Sequence, residues 1–205
     1  MKPEVLIVTG FAGSGKGTVF ALAKEIYPKL KLSVSMTTRK PRPGEVDGVH
    51  YYFVSREEFI KTIEENGFFE HTEYCGNFYG TPKKQLFQMV KDGFTPVLEI
   101  ETEGGINAMR ELDSYASVFL TPPSFKTLEK RLRGRGTETE ESIQKRLATA
   151  KEELSVIPQY QTLIVNFDGK AEECAKAIAS IAQGLPYDGP AIERDKEAFI
   201  KNFLK

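Results

Sequence analysis

The sequence predicts an α/β protein with three layers, in which helices cover both faces of a five-stranded parallel sheet. Two observations carry this prediction. Short apolar runs rich in β-branched residues alternate with segments whose apolar residues recur at helical spacing. The first run stops at Gly10 and a helical segment follows directly, as parallel strands with crossover connections require. The five predicted strands are residues 4–9, 32–35, 95–101, 116–121 and 163–167.

Helices are predicted between these strands. The first spans residues 16–27, where Val19, Ala23 and Ile26 share one face and Pro28 ends the helix. Other helices are predicted at 104–112, 124–132 and 170–183. Ligands of such sheets bind at the carboxyl ends of the strands. We therefore expect the site to be formed by residues 10–18, 35–42, 99–105 and 121–123.

Residues 37–94 depart from this alternation of strands and helices, because they are rich in aromatic residues, glycine and charged residues. This composition indicates an inserted lobe of mixed α and β structure, with a helix at 55–65. The sequence thus divides into a core of residues 1–36 and 95–185, the inserted lobe, and an amphipathic helical tail at 186–205.

A second irregular stretch lies at residues 133–155. Gly134 and Gly136 interrupt one helix, and Thr139 is a good N-cap for the next, whose first turn holds two glutamates. An arginine-bearing, glycine-flanked excursion of this kind fits either a mobile helical lid over a site or a solvated connection between helices.

Bulk composition narrows the function classes. The formal net charge of −1 gives no general attraction to nucleic acid or to an anionic membrane, so an anion site must come from local clusters of Arg and Lys. No apolar run approaches the ~20 residues of a membrane span, and the first residues turn polar too early for a signal peptide. Cys75 and Cys174 lack metal-type spacing. We therefore expect a cytoplasmic protein without nucleic-acid or membrane partners.

The segment after the first strand has the pattern of a phosphate-binding loop. Its glycines allow backbone N–H groups to surround a phosphate, the following helix adds favourable partial charge, and Lys16 reaches the outer phosphates. The candidate ATP-binding residues here are Gly10, Ala12, Gly13, Ser14, Gly15, Lys16, Gly17 and Thr18.

Gly17 stands where such loops usually place Ser or Thr. The Gly-Lys-Gly-Thr order resembles that of adenylate kinases. Since Gly17 has no side chain to offer, Mg²⁺ would be held by phosphate oxygens and water, with Thr18 as a candidate contact.

A second candidate phosphate site is a basic cluster, Arg39, Lys40 and Arg42, that precedes Glu45 on a Pro-interrupted segment. Two guanidinium groups so close together can converge on one phosphate, because the Arg fork matches its oxygens bidentately. Two phosphate sites in one small protein suggest transfer of a phosphoryl group between them.

The residues around this cluster resemble the guanylate kinase family. The matching positions are Thr37, Thr38, Arg39, Arg42, Glu45, Gly48, Tyr51 and Phe53, and the likeness extends over residues 4–183. The resemblance implies a P-loop NTPase core with a GMP-binding lobe and a helical lid. It also implies a Mg²⁺-dependent reaction in which ATP and GMP, and by extension dGMP, give ADP and the nucleoside diphosphate.

The resemblance implies roles for individual residues. Arg39, Arg42, Tyr51 and Tyr79 would hold the GMP phosphate, and Ser35, Glu70, Thr81 and Glu101 would hold guanine. Glu101 stands where the family usually has Asp. Arg135 and Arg146 would reach the transferring group from the lid, Arg131 would stack on the ATP base, and Glu99 would face the water shell of the metal. The catalytic set would be Lys16, Arg39, Arg42, Arg135 and Arg146.

Two alternatives stay open on the sequence. One is a non-catalytic, guanylate-kinase-like binding module, although such modules lack a working phosphate loop. The other is a kinase of a different small phosphate ester on the same scaffold, which Gly17 and Glu101 leave possible.

Overall fold

The computed structural model describes residues 2–74, 76–134, 136 and 139–205. Its central sheet has six strands in the order β10-β9-β8-β1-β7-β2. The strands are β1 (Val5–Gly10), β2 (Leu30–Leu32), β7 (Thr95–Glu99), β8 (Tyr115–Thr121), β9 (Thr162–Val165) and β10 (Ile192–Glu193). The first five are parallel, whereas β10 pairs antiparallel with β9. The α/β class is confirmed. The predicted count of five strands is wrong, because the tail adds a sixth strand at one edge.

Helices cover both faces of this sheet. On one face, α1 (Lys16–Ile26) and α7 (Ala171–Ala182) pack against Leu6 and Val8 of β1. Val5 and Ile7, which alternate with these residues, face α4 (Thr102–Glu111). The opposite face also carries α5 (Phe125–Gly134), α6 (Glu140–Glu153), a 3₁₀ segment Leu154–Gln159 and α8 (Lys196–Phe203). The three predicted layers are therefore present.

The inserted segment forms its own sheet, in the order β4-β3-β6-β5. The strands are β3 (Met36–Thr37), β4 (Tyr52–Phe53), β5 (Phe68–Tyr74) and β6 (Asn77–Pro82), with helices α2 (Arg56–Glu64) and α3 (Lys83–Lys91). Phe59 stacks between Phe68 and Phe78, with ring centroids 4.5 and 5.3 Å apart. The three rings give this lobe a small apolar core of its own, to which Met36 also belongs.

Local capping explains where several helices begin. Ser55 Oγ accepts from the Glu58 N–H at 3.1 Å at the start of α2, and Thr139 Oγ1 accepts from the Ser142 N–H at 3.3 Å at the start of α6. Thr139 is thus the N-cap that its sequence context predicted. Among the described residues, none of the helices has the length and apolar character needed to cross a bilayer.

Candidate active site: a cleft between the phosphate loop and the inserted lobe

The phosphate loop joins β1 to α1, and two of its glycines are sterically required. Gly10 has φ of +150°, and a Cβ there would lie 2.0 Å from the Leu120 carbonyl oxygen of the adjacent strand. Gly15 has φ of +93°, and a Cβ there would lie 2.6 Å from Asn166 Nδ2. These positions bring the loop against the ends of β8 and β9, where only glycine fits.

The start of α1 is prepared for an anion. Gly15 is its N-cap and provides no side-chain cap, and the first turn contains no acidic residue. The first N–H groups of the helix therefore face the cleft without a carboxylate competing for them. Lys16 Nζ lies 2.8 Å from the Gly10 carbonyl oxygen and 3.4 Å from that of Phe11. The ammonium group therefore contacts carbonyl oxygens of the phosphate loop itself.

The loop is braced from the side of β9. Asn166 Nδ2 donates to the Ser14 carbonyl oxygen at 2.8 Å. Arg131 donates to Asp168 at 2.7 Å, to the Asn166 carbonyl oxygen at 2.8 Å and to the Ser14 carbonyl oxygen at 3.4 Å. The Arg131 guanidinium lowers the pKa of Asp168. Arg131 therefore lies beside the loop, paired with a carboxylate, rather than in the lining of the cleft.

Sequence reasoning missed Asn166 and Asp168. Both lie at the end of the last predicted strand, on the rim where the sequence already predicted the site. Applying the strand-end rule to β9, as to the other strands, would have found them.

Arg39 forms a bidentate pair with Glu45 in the inserted lobe. Its two terminal nitrogens donate to the two carboxylate oxygens at 2.9 and 2.8 Å, and the side chains are 15% and 18% exposed. The Arg42 N–H adds a third bond to Glu45 at 2.6 Å. Together, the Arg39 guanidinium and this N–H lower the pKa of Glu45 to about 2. Glu45 therefore fixes both the side chain of Arg39 and the backbone at Arg42.

Aromatic side chains surround this pair. The Arg39 guanidinium lies 5.5 Å from the Tyr51 ring centroid and 5.7 Å from that of Phe53, and Tyr51 packs edge-on against Tyr79 at 6.1 Å. Three of the four predicted phosphate ligands, Arg39, Tyr51 and Tyr79, thus come together. The Arg42 side chain is exposed. Of the four, Tyr79 alone lines the cleft.

The predicted guanine contacts face the phosphate loop across the cleft. Thr81 is 1% exposed, and its hydroxyl donates to Glu70 Oε1 at 2.7 Å. Burial raises the pKa of Glu70, and the charge of Glu101 adds to this, whereas the Thr81 hydrogen bond opposes it. A Cβ on Gly104 would lie 2.6 Å from Glu70 Cγ, so α4 needs glycine there to approach this carboxylate. Ser35, Glu70 and Thr81 all line the cleft.

Three carboxylates lie between the loop and the lobe. Glu99 ends β7, Glu101 is the N-cap residue of α4 and makes no side-chain cap bond, and Glu153 ends α6. Glu153 accepts from Thr102 Oγ1 at 3.2 Å. Burial raises the pKa of Glu153, while the Thr102 hydrogen bond and the charge of Lys16 oppose it. Sequence reasoning missed Glu153, although it follows Arg146 by two helical turns and so shares its face.

The donor set fits a magnesium ion that arrives with its nucleotide. No group of three or more His, Cys, Asp or Glu side chains within the described ranges is arranged to hold a metal. Mg²⁺ keeps several waters and usually takes one or two protein carboxylates together with substrate phosphates. Glu99 and Thr18 line the cleft and could meet such an ion, directly or through water, whereas Gly17 provides only backbone.

The remaining predicted residues belong to the segment after α5. Arg146 lines the cleft with Lys145 and Thr149 of α6. Arg135 lies outside the described residues. Arg133, in the last turn of α5, is exposed and pairs with Glu129 at 2.9 Å and with Glu140.

The cleft has a volume of about 1650 Å³ and is lined by residues of the phosphate loop, α4, α6 and the inserted lobe. Single-ligand pockets usually occupy about 300–1,000 Å³, so this cleft has room for two nucleotides. A phosphate loop at one end and the Glu70–Thr81 pair at the other are the arrangement expected of a P-loop phosphotransferase.

Comparison with known proteins gives the family. The sequence model described as guanylate kinase matches residues 2–183. A guanylate kinase of Synechococcus sp. (strain CC9311) is 48% identical over 167 residues, covering 82% of this chain and 87% of that protein. One from Desulfitobacterium hafniense (strain Y51) is 44% identical over 162 residues, covering 79% and 81%. The chain belongs to the guanylate kinase family, which confirms the resemblance noted in the sequence.

A solved structure agrees with this assignment. The crystal structure of guanylate kinase from Anaplasma phagocytophilum superposes with a TM-score of 0.60 at 30% identity, covering 97% of this chain and 94% of the other. The match extends beyond the phosphate loop and includes most of the inserted lobe and the tail.

Proposed function

We propose that this chain transfers the γ-phosphoryl group of ATP to the phosphate of GMP or dGMP in this cleft. Family membership supports the ATP:GMP phosphotransferase activity. One observation carries the assignment of the site: the phosphate loop and the Glu70–Thr81 pair face a single cleft large enough for two nucleotides.

ATP would bind on the phosphate loop. The N–H groups at the start of α1 would receive the β-phosphate, and Lys16 would move from the Gly10 carbonyl to the outer phosphates. Arg131 would contact the ATP base from its position beside Ser14. When bound with ATP, Mg²⁺ would neutralise charge on the phosphate oxygens, and Glu99 is the carboxylate proposed for its water shell.

GMP would be held at its phosphate by Arg39, Arg42, Tyr51 and Tyr79. Arg39 and the tyrosines are already grouped, and Glu45 keeps the Arg39 fork in a fixed orientation. Because the Arg39 side chain is already held in one rotamer, binding of the phosphate dianion would cost less conformational entropy.

Guanine would be selected by its hydrogen-bonding edge. Ionised Glu70 accepts hydrogen bonds only, so it can receive the N1–H and N2–H₂ donors of guanine while Thr81 occupies part of Oε1. Adenine presents an acceptor at N1, which the carboxylate would repel. A site built this way rejects the wrong base strongly, because mispairing leaves buried polar groups without partners. Ser35 and Glu101 complete the proposed guanine set.

Catalysis would come from in-line positioning and from positive charge around the transferring group. The GMP phosphate is already ionised at neutral pH, so the reaction requires no general base. Lys16, Arg39, Arg42 and Arg146, together with Arg135, would spread positive charge over the transition state. The lobe and the proposed lid at 133–155 would close to exclude water and prevent ATP hydrolysis.

A direct test measures ADP release with GMP, dGMP, AMP, UMP and CMP as acceptors. We expect turnover with GMP and dGMP and little with the others. Equal turnover with UMP or AMP would favour the kinase of another phosphate ester, and no turnover with any acceptor would favour the binding module. The intact phosphate loop from Gly10 to Lys16 argues against a non-catalytic binding module.

The division into core, lobe and tail at residues 36/37, 94/95 and 185/186 also stays a proposal. So does a cytoplasmic location, which rests on the cysteine content of the sequence.

A further inference from the structure

The C-terminal tail, residues 186–205, lies beyond the segment that the guanylate kinase sequence model matches, and it packs against the phosphate loop. The family match ends at residue 183, and the tail then adds β10 and α8. Both elements reach the loop, by different routes. This contact between the tail and the phosphate loop has no place in the mechanism given above.

The first route is aromatic. Phe11 of the loop is fully buried, and its ring lies between Phe119 of β8, at 5.0 Å between centroids, and Phe203 of α8, at 5.2 Å. Phe203 is 1% exposed and also contacts Phe199 and Phe125, at 5.3 and 6.3 Å. The last turn of the tail helix therefore packs directly against the Phe11 ring.

The position of Phe11 matters because its carbonyl oxygen is part of the loop's internal bonding. That oxygen accepts from the Ser14 N–H at 3.0 Å, which closes the turn, and lies 3.4 Å from Lys16 Nζ. A shift of the Phe11 ring would therefore move a carbonyl that orients Lys16. Closely packed interiors transmit such shifts rather than absorb them.

The second route runs through the sheet. β10 pairs with β9, and the Val165 N–H donates to the Ala191 carbonyl oxygen at 2.8 Å. The next residue, Asn166, holds the Ser14 carbonyl oxygen. The tail is fixed between these two contacts by the Lys196 ammonium group, which donates to the Tyr160 carbonyl oxygen. The two routes thus meet the loop at Phe11 and at Ser14.

We propose that Phe203 is a positioning residue for ATP binding, acting through Phe11 on Lys16 and the loop. The proposal rests on the proposed function, because its readout includes turnover with GMP. The contact is hydrophobic and buried, so its loss would affect the ATP end of the cleft and leave the guanine end, formed by Glu70 and Thr81, unchanged.

The test compares Phe203→Ala and Phe203→Leu with two controls on the same helix. Phe199→Ala removes a ring that contacts Phe203 but is not paired with Phe11, and Leu204→Ala changes a side chain that is 51% exposed. The measurements are the Kd for the Mg²⁺ complex of β,γ-imido-ATP, KM for ATP and GMP, and Tm. All binding and kinetics are measured well below the lowest Tm.

For Phe203→Ala we expect Kd and KM for ATP to rise about ten-fold, since a small misplacement far from the chemistry is costly, while KM for GMP changes by less than about twofold. Phe203→Leu should recover part of the affinity. Both controls should keep ATP affinity within about twofold of the parent, even if Phe199→Ala lowers Tm.

The proposal is overturned if folded Phe203→Ala binds the analogue as tightly as the parent, or if Phe199→Ala weakens binding equally. Where Phe203→Ala fails to fold, Phe203→Leu decides, and unchanged affinity in that variant refutes the idea. Failure of the proposed function would be seen separately, as absent turnover in the unchanged chain, while analogue binding would still test Phe203.

Discussion

Replacement of Glu70 by Gln is the sharpest test of how this cleft selects its acceptor. Glu70 Oε1 already accepts from the buried Thr81 hydroxyl at 2.7 Å. In the Gln variant this bond holds the amide oxygen toward Thr81, so the NH₂ group takes the place of Oε2. The N1–H and N2–H₂ donors of guanine would then face a donor, whereas N1 of adenine would face a suitable partner.

The size of the effect follows from the bonds lost. Hydrogen bonds to a charged group contribute about 1.5–3 kcal/mol. Loss of this amount from the transition state lowers kcat/KM for GMP by roughly 10- to 150-fold. The kcat/KM for AMP should stay unchanged or rise. The ratio of kcat/KM for GMP to that for AMP should therefore fall by at least the same factor. The assay is coupled ADP release at several concentrations of each nucleotide.

Stability provides an independent readout for the same variant. The folded-state pKa of Glu70 lies above its ordinary value, chiefly because of burial. Stability is therefore lost as the pH rises from the ordinary pKa through the folded pKa, and a neutral Gln removes this cost of ionising a buried carboxyl. Without nucleotide at pH 7.5, we expect the Tm of Glu70→Gln to equal or exceed that of the parent. A general folding defect would lower it.

Glu73→Gln is the matched control, since Glu73 lies on the same strand, is exposed and does not line the cleft. It should leave the kinetics with GMP and AMP unchanged. The account of guanine selection is wrong if Glu70→Gln keeps the parental preference for GMP over AMP, or if Glu73→Gln loses that preference to the same extent.

Three further predictions concern the loop and the lobe. Glu45→Gln should raise KM for GMP by freeing Arg39. Because the folded pKa of Glu45 is about 2, its stabilising contribution is present above its ordinary pKa and lost as pH falls toward 2; acid unfolding monitored by circular dichroism should therefore be steeper in the parent than in this variant. Gly15→Ala should lower kcat/KM for ATP and destabilise the fold by about 1–3 kcal/mol, because φ is +93° and a Cβ would collide with Asn166 Nδ2. Urea unfolding measures the change in the free energy of unfolding. Phe59→Ala should cost about 3–5 kcal/mol by removing the central ring of the lobe, with KM for GMP rising more than KM for ATP.

The sequence predicted those parts of the site in which local chemistry determines local geometry. Gly10 and Gly15 are required by contacts with neighbouring strands, but the spacing of glycines and Lys16 identifies the loop without knowledge of those contacts. Arg39 and Glu45 lie only six positions apart, so both members of the pair are visible in one segment of the sequence. The Glu70–Thr81 pair joins adjacent strands of a hairpin, and the family resemblance singled out both residues.

The parts that were missed depend on long-range approach. Asn166 and Ser14 lie 152 positions apart in the sequence, and the periodicity of the sequence does not predict a hydrogen bond between them. The strand Ile192–Glu193 has two residues, too few to show an alternating pattern, and exists because the edge of β9 offers it backbone partners. The amphipathic helix predicted within the tail is present as α8, which begins at Lys196, where the Asp195 side chain accepts from the Ala198 N–H and caps it.

The placement of the residues proposed to bind GMP bears on the order of events. Glu70 and Thr81 line the cleft opposite the phosphate loop, but Arg39 and Tyr51 do not. If GMP were bound only by its base, its phosphate would therefore not yet contact all of the positively charged side chains proposed to bind it. We expect Arg39 to complete that set through the proposed movement of the lobe toward the loop, while Glu45 keeps the Arg39 guanidinium group oriented. Since the same movement would exclude water, ATP should meet a fully charged site only when an acceptor is present. The stacked rings of Phe59, Phe68 and Phe78 give the lobe a core of its own, so we expect it to move as a unit and to carry Glu70 and Thr81, two of the proposed guanine contacts, with it.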